Sequence, residues 1–223
     1  YRRQRQMCIR DSAMAIKLTP AVFLAVFFVR REWRAFFSSL GAFFAAGLIA
    51  FACNPHSSIQ YWSETLRDSN RIGGLAYSSN QSLRGFFSRL APEHAEKLWL
   101  IAVLVVIAIV WFVMERLSHG NKSVLMLLAA SVSLLCSPVS WSHHFTWLVL
   151  AGVLLAAQRR WKLAALTWLA LWARGHWLVP HTNDQELDWA WWQHIVGNDY
   201  VIVTALLVLC SLPLALRRAG AYQ

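Results

Sequence analysis

Ser137-Pro138-Val139-Ser140-Trp141-Ser142-His143-His144-Phe145 is a short polar break between two apolar runs, 125–136 and 145–157. Proline ends the first run, because it carries no amide hydrogen and steers the residue before it out of the helical region. Two serines, a tryptophan and two adjacent histidines then fall where a membrane helix would meet water. An ordinary inter-helix turn has no need of that chemistry. The rest of the chain therefore reads as helices that set other polar groups beside this break.

The surrounding composition agrees. Of 223 residues, 57% are hydrophobic and 13 are tryptophan, and the mean hydropathy is +0.42. The apolar residues come in long blocks, which excludes an ordinary soluble domain and predicts an all-α fold, a polytopic transmembrane helical bundle. Seven apolar segments (13–29, 35–53, 98–114, 123–136, 145–157, 163–179 and 200–216) predict seven spans, the fourth and fifth of them short. A net charge of +10 would suit nucleic acid. Most of the basic residues, however, flank apolar runs, where they set topology, and no recognition motif accompanies them, so no nucleic-acid partner is expected.

Arg30, Arg31 and Arg34 follow the first segment, Arg116 and Lys122 the third, Arg159, Arg160 and Lys162 the fifth, and Arg217 and Arg218 the seventh. The positive-inside rule makes these connections cytoplasmic. The connections 54–97, 137–144 and 180–199 then lie outside, and the last two contain no Lys or Arg. Within 54–97, Leu83, Phe86, Phe87 and Leu90 form one apolar stripe, with Arg84 and Arg89 off it. That pattern predicts a short helix lying in the membrane surface, with Gly73-Gly74 turning the chain before it. Asn80-Gln81-Ser82 and Asn121-Lys122-Ser123 match the glycosylation pattern by chance, the second on the cytoplasmic side.

Residues 1–12 are basic and polar and run straight into an apolar segment. They lack the apolar core of a signal peptide and resemble translated sequencing-adaptor DNA; a genuine basic tail is the alternative. On the adaptor reading, 13–218 is the C-terminal part of a longer membrane domain.

Several residues have the chemistry of a site. Lys17 sits near the outer end of the first segment, where it snorkels or meets an anionic headgroup. Arg174 and His176 flank Gly175 near the outer end of the sixth. A guanidinium suits phosphate, and an ion pair with Asp184, Glu186 or Asp188 is the structural alternative. His143 and His144 suit acid–base chemistry, hydrogen bonds to phosphate or sugar, or bonds to loop carbonyls. There is no HExxH and no CxxC, so no cofactor or metal is expected, a divalent ion being the minor alternative. Cys53 and Cys136 read as small apolar filler, with a disulfide as the alternative. Cations and histidines on one side suit a phosphate-bearing lipid and a polar acceptor. A transporter would carry polar groups through the full membrane depth, together with internal repeats; a scaffold would need no intramembrane charge.

Ala15-Ile16-Lys17-Leu18-Thr19-Pro20, Arg30-Arg31-Glu32-Trp33-Arg34, Asn80-Gln81-Ser82-Leu83-Arg84-Gly85 and the break at 137–144, in that order, are similar to the GT87 family. That family consists of membrane mannosyltransferases of the GT-C superfamily. The resemblance implies a GT-C type bundle, a polyprenyl-phosphate-linked sugar donor, usually mannose, and a lipid or glycolipid acceptor. It implies inverting transfer on the outer face of the plasma membrane. It carries Lys17, Asn80, Gln81, His143 and His144 over as donor or acceptor contacts, beside Trp141, Arg174 and His176. It also implies a general-base aspartate in an outer loop upstream of residue 13, without which this chain alone is expected to be inactive.

Overall fold

A computed structural model describes residues 19–65 and 73–220. Lys17 and residues 1–12 lie outside the described residues. The chain divides into two compact units, up to Arg71 and from Ile72.

In the first unit a 3-10 turn, Thr19–Phe23, leads into α1 (Leu24–Val29), followed by α2 (Trp33–Cys53) and α3 (Pro55–Gln60). Arg31 turns the chain between α1 and α2 with a φ of 56°, and Arg30 Nε donates to Glu32 Oε1 at 2.8 Å. Phe28 packs edge-on against Trp33 and Phe36 at 5.4 and 5.9 Å. Asn54 caps α3 by accepting from the Ser57 amide, with Pro55 in the first turn. Along α2 only Ser39 is buried, while Phe37, Phe44, Leu48 and Ile49 are exposed, as lipid-facing side chains are.

The second unit contains α4 (Leu83–Leu90), α5 (Ala95–Arg116), α6 (Lys122–Cys136), α7 (Trp147–Ala157), α8 (Trp161–Ala173), α9 (Trp191–Gly197) and α10 (Asp199–Gly220). Helix α5 packs beside α4, α6 and α10; α7 and α8 form a hairpin; α10 also lies against α6 and α8. Gly152 lets α7 approach α8, because a Cβ there would run into the Trp168 indole. Asn121 accepts from the Ser123 amide at 2.9 Å, so the second glycosylation-like motif is a helix cap. Leu134, Phe145, Leu148, Ala170, Tyr200 and Val203 form a core cluster that unites α6, α7, α8 and α10 beneath the polar break.

Among the described residues three helices are long and apolar enough to cross a membrane: Trp33–Cys53, Pro92–Arg116 and Asp199–Leu216. Seven spans are thus not confirmed, and part of the first segment, 13–18, lies outside the described residues. The 15 residues of α6 rise only about 22 Å against a hydrocarbon core of about 30 Å, and α7 has 11 residues. The α-helix of the sixth segment ends at Ala173, where Arg174 takes a left-handed φ of 49°, and a 3-10 turn, Gly175–Trp177, follows in place of a continuous helix to 179. The short connections 117–121 and 158–160 and the end of α10 share one end of this unit. The segments 82–94, 137–146 and 174–198 share the other.

Helix α4 falls on the stripe read from the sequence, Leu83–Leu90, with most of that stripe turned away from the protein. Its polar side faces the protein: Gly85, Ser88 and Arg89 are buried, while Leu90 is 49% exposed and Phe86 and Phe87 are half-buried. Of the apolar stripe only Leu83 is buried.

Candidate functional site

The polar break and the segment 78–82 are knitted together. The Gln81 amide donates to the Ser140 carbonyl at 2.8 Å and the Ser142 amide to the Ser79 carbonyl at 2.9 Å. These two bonds close an antiparallel bridge between Asn80 and Trp141. The Ser79 and Ser142 hydroxyls meet at 3.0 Å, and the Ser82 hydroxyl donates to the Pro138 carbonyl at 3.0 Å. Proline 138 thus does more than end α6: its carbonyl, left free of the helix ladder, anchors a second segment.

Asn80 is fully buried at the centre. Its Nδ2 donates to the carbonyls of Leu75 and Pro138 at 2.9 and 3.2 Å. Its Oδ1 accepts from the amides of Ser82 and Ser140 at 3.3 and 3.0 Å. A side-chain amide has two N–H groups and two lone pairs, so Asn80 keeps nothing for a substrate, contrary to its expected contact, and its burial removes it as a glycosylation acceptor. Gln81 Nε2 donates to the carbonyls of Ser78 and Gly197, while its buried Oε1 has no partner among the described residues. Gly85 permits this packing, because a Cβ there would run into the Asn80 carbonyl oxygen. Gly85→Ala is expected to cost about 1–3 kcal/mol through overpacking, read as a lower unfolding midpoint of the detergent-solubilised protein; an unchanged midpoint would show that the two segments give way freely.

Arg89 ties the knot to the 186–198 loop. It is 1% exposed and donates to the carbonyls of Ala76, Tyr77 and Asn80 and to Asn198 Oδ1. Its guanidinium lies 5.4 Å from the Trp189 ring. Burial pulls its pKa down to about 9, opposed by the Glu186 carboxylate, so it stays charged at neutral pH. Glu186, 2% exposed, accepts from the Ser78 amide at 3.0 Å. The cation is therefore neutralised and bonded in the interior rather than placed at a headgroup surface.

His194 lies in the same network. Its pKa is lowered by burial and by the charge of Arg89, against a hydrogen bond to the Trp189 backbone that raises it. A lowered folded value means that the unfolded chain takes the proton first. Stability is then complete above the unfolded value of about 6.5 and declines as the pH falls through it. The unfolding midpoint is expected to drop between pH 7.5 and 5.5 by more in the wild type than in His194→Gln; equal drops would remove His194 from the network.

The candidate histidines and Arg174 lie at this same end. His143 is exposed and His144 half-buried, their rings 4.5 Å apart. The His144 amide donates to the Trp141 carbonyl at 2.8 Å, and Phe145 beneath them is fully buried. Arg174 is exposed and makes no ion pair among the described residues; of its expected carboxylate partners, Glu186 serves Ser78 and Arg89 instead. His176 is fully buried. Its Nδ1 lies 3.4 Å from Asp199 Oδ1, whose other oxygen accepts from the Gly175 amide at 2.8 Å. His176 Nε2 has no partner among the described residues. Gly175 allows the turn to sit on α9, since a Cβ there would meet the Val196 carbonyl oxygen.

Aromatic rings join the two groups. Tyr77 stands edge-on to Trp141 and to Trp177, 6.1 Å from each. Tyr200 lies 4.9 Å from His176 and 5.3 Å from Phe145. Asn80, Gln81, Trp141, Arg174 and His176 are thus brought into one connected assembly, with His143 and His144 on the break itself. Arg89, Asn198, Asp199 and Tyr77 belong to it as well and were not expected from the sequence. Among the described residues no group of three or more His, Cys, Asp or Glu is placed to hold a metal ion. Cys53, Cys136 and Cys210 are free thiols.

The model of glycosyltransferase family 87 matches residues 12–138. The chain is 34% identical over 215 residues to a polyprenol-phosphate-mannose-dependent alpha-(1-2)-phosphatidylinositol mannoside mannosyltransferase of Mycobacterium tuberculosis, covering 92% of this chain and 50% of that protein. It is 32% identical over 207 residues to the protein of the same description from Mycolicibacterium smegmatis, covering 85% and 46%. A pentamannoside mannosyltransferase of Mycolicibacterium smegmatis, also polyprenol-phosphate-mannose-dependent, is 31% identical over 203 residues, covering 86% and 50%. The chain spans about half the length of the curated relatives it matches. No solved structure matches it significantly.

Proposed function

From the premise that the chain belongs to glycosyltransferase family 87, we propose that it serves a membrane hexosyltransferase that moves mannose from a polyprenyl phosphate donor to a glycolipid acceptor. The observation that carries this reading is the knit between segments 78–82 and 137–144. It sets an exposed histidine, a half-buried histidine and an unpaired arginine at one end of a helical unit. That end lies at the termini of helices long and apolar enough to cross a membrane, which supports a place at the lipid headgroup level, where a lipid-linked donor presents its phosphate.

In this reading the acceptor hydroxyl gives its proton to the general-base aspartate that the family resemblance implies and attacks the anomeric carbon, the bond from that carbon to the phosphate oxygen breaks, and polyprenyl phosphate leaves with the electron pair. Attack opposite the leaving group inverts the anomeric centre. Arg174 holds the departing phosphate through its planar fork. His144 hydrogen-bonds the reacting groups from a partly fixed position, and His143 faces the open side. Asn80 and Gln81 position the break rather than touch substrate, while Trp141 borders the sugar. The absence of Lys and Arg from 137–144 and 180–199 supports an extracytoplasmic site in the plasma membrane.

Washed membranes containing the full reading frame around this chain are offered polyprenyl phosphate [14C]mannose or a nucleotide-linked [14C]mannose, with phosphatidylinositol mannoside as acceptor. Label is expected in glycolipid from the polyprenyl donor. Transfer from the nucleotide donor alone, in membranes cleared of polyprenyl phosphate, would contradict the assignment.

A further inference from the structure

We propose that Tyr77 is the stacking platform for a pyranose ring, a subsite that rests on the transferase reading and gives it a residue for the sugar itself. Three rings from three separate segments meet here: Trp141 of the polar break, Tyr77 of the turn before the knot, and Trp177 of the turn after α8. Tyr77 is the middle one, 6.1 Å from each neighbour with interplanar angles of 69° and 68°. Its neighbours therefore present their edges or faces at an angle and leave part of its ring open, and Tyr77 is 39% exposed.

The backbone under that ring is fixed. The Tyr77 amide donates to the Gly74 carbonyl at 3.1 Å, and its carbonyl accepts from the Asn80 amide at 2.8 Å and from Arg89 Nη1 at 3.0 Å. Gly73, at a φ of 122°, closes the turn over Trp141, where a Cβ would come within 3.4 Å of the indole. A large aromatic side chain left exposed on a fixed backbone loses little entropy when it binds. The negative face of its π system attracts the weakly positive axial C–H groups of a pyranose. The surroundings fit such a ligand: His143 lies two residues from Trp141, and Arg174 is joined to Trp177 through a backbone bond of 2.9 Å. The two rings beside Tyr77 thus come from the segments that also carry His143 and Arg174. The ring is that of the donor mannose or of the acceptor glycan; both offer the same C–H face.

The test uses the protein of the full reading frame in detergent and methyl α-D-mannopyranoside as probe, read by saturation-transfer NMR. Ring-proton saturation is expected in the wild type and in Tyr77→Phe. It is expected to fall severalfold in Tyr77→Leu, which keeps the bulk without the π face, and in Tyr77→Ala. Equal saturation in Tyr77→Leu and the wild type, or none in the wild type, overturns the subsite. In the transfer assay, Tyr77→Leu is expected to raise one KM about tenfold: the donor's if the ring belongs to donor mannose, the acceptor's if it belongs to the glycan. Unchanged values for both overturn it as well. A wild type that transfers no mannose removes the transferase reading, while the saturation measurement still decides the subsite.

Discussion

Replacing His144 with alanine in the full reading frame is expected to lower the initial rate of mannose transfer by about 100-fold or more, the range for a positioned acid–base or hydrogen-bonding group, with expression and unfolding midpoint near wild type. Two observations set His144 apart. It is half-buried, and its amide is tied to the Trp141 carbonyl, so its ring has fewer directions to point than the exposed ring of His143. The buried Phe145 next to it fixes the turn from below. A catalytic group gains from such restriction, because its geometry is set before substrate arrives. His143→Ala is expected to lose less, about tenfold, as a group that hydrogen-bonds from the open side. A rate for His144→Ala within twofold of wild type would remove it from the reacting groups.

Arg89→Met is expected to cost about 3–5 kcal/mol, the loss typical of removing one partner from a buried charge pair. The methionine fills most of the volume but leaves Asn198 Oδ1 and the carbonyls of Ala76, Tyr77 and Asn80 without their donor, and the buried Glu186 carboxylate without the cation whose charge it feels. The unfolding midpoint is the readout, together with proteolysis at 73–82, which should become rapid. Arg89→Met with Glu186→Gln should recover part of the loss, because the stranded carboxylate is the largest single penalty. An unchanged midpoint in Arg89→Met would mean that the network is not what holds the two loops.

The helical class and the break at 137–144 were legible because proline and long apolar blocks act locally. Lengths were less so. The sixth apolar segment reads through 179 by hydropathy, yet Arg174 and Gly175 end α8 at Ala173, a backbone decision that hydropathy does not register. Arg89 lies off the apolar stripe of α4, and the stripe alone does not name its partners. Once the apolar stripe faces outward, the opposite side must face the protein, and Gly85 and Ser88 beside Arg89 were the signal. Asn80 spends its side-chain amide on four backbone groups, and a motif does not state whether its amide meets those or a substrate. Asp199 reads as the last residue of the connection 180–199; its bond to the Gly175 amide depends on a fold that joins residues 24 positions apart. Nothing in the sequence around Tyr77 marks it, since its neighbours Trp141 and Trp177 come from distant segments.

The most direct test of the account combines the location of the break with its ligand. Ser142→Cys, in a background with Cys8, Cys53, Cys136 and Cys210 replaced by serine, is treated in intact cells with a membrane-impermeant maleimide, with and without polyprenyl phosphate mannose. The account predicts labelling from outside that the donor slows severalfold. Labelling only after the cells are permeabilised, or labelling from outside that the donor leaves unchanged, would contradict it.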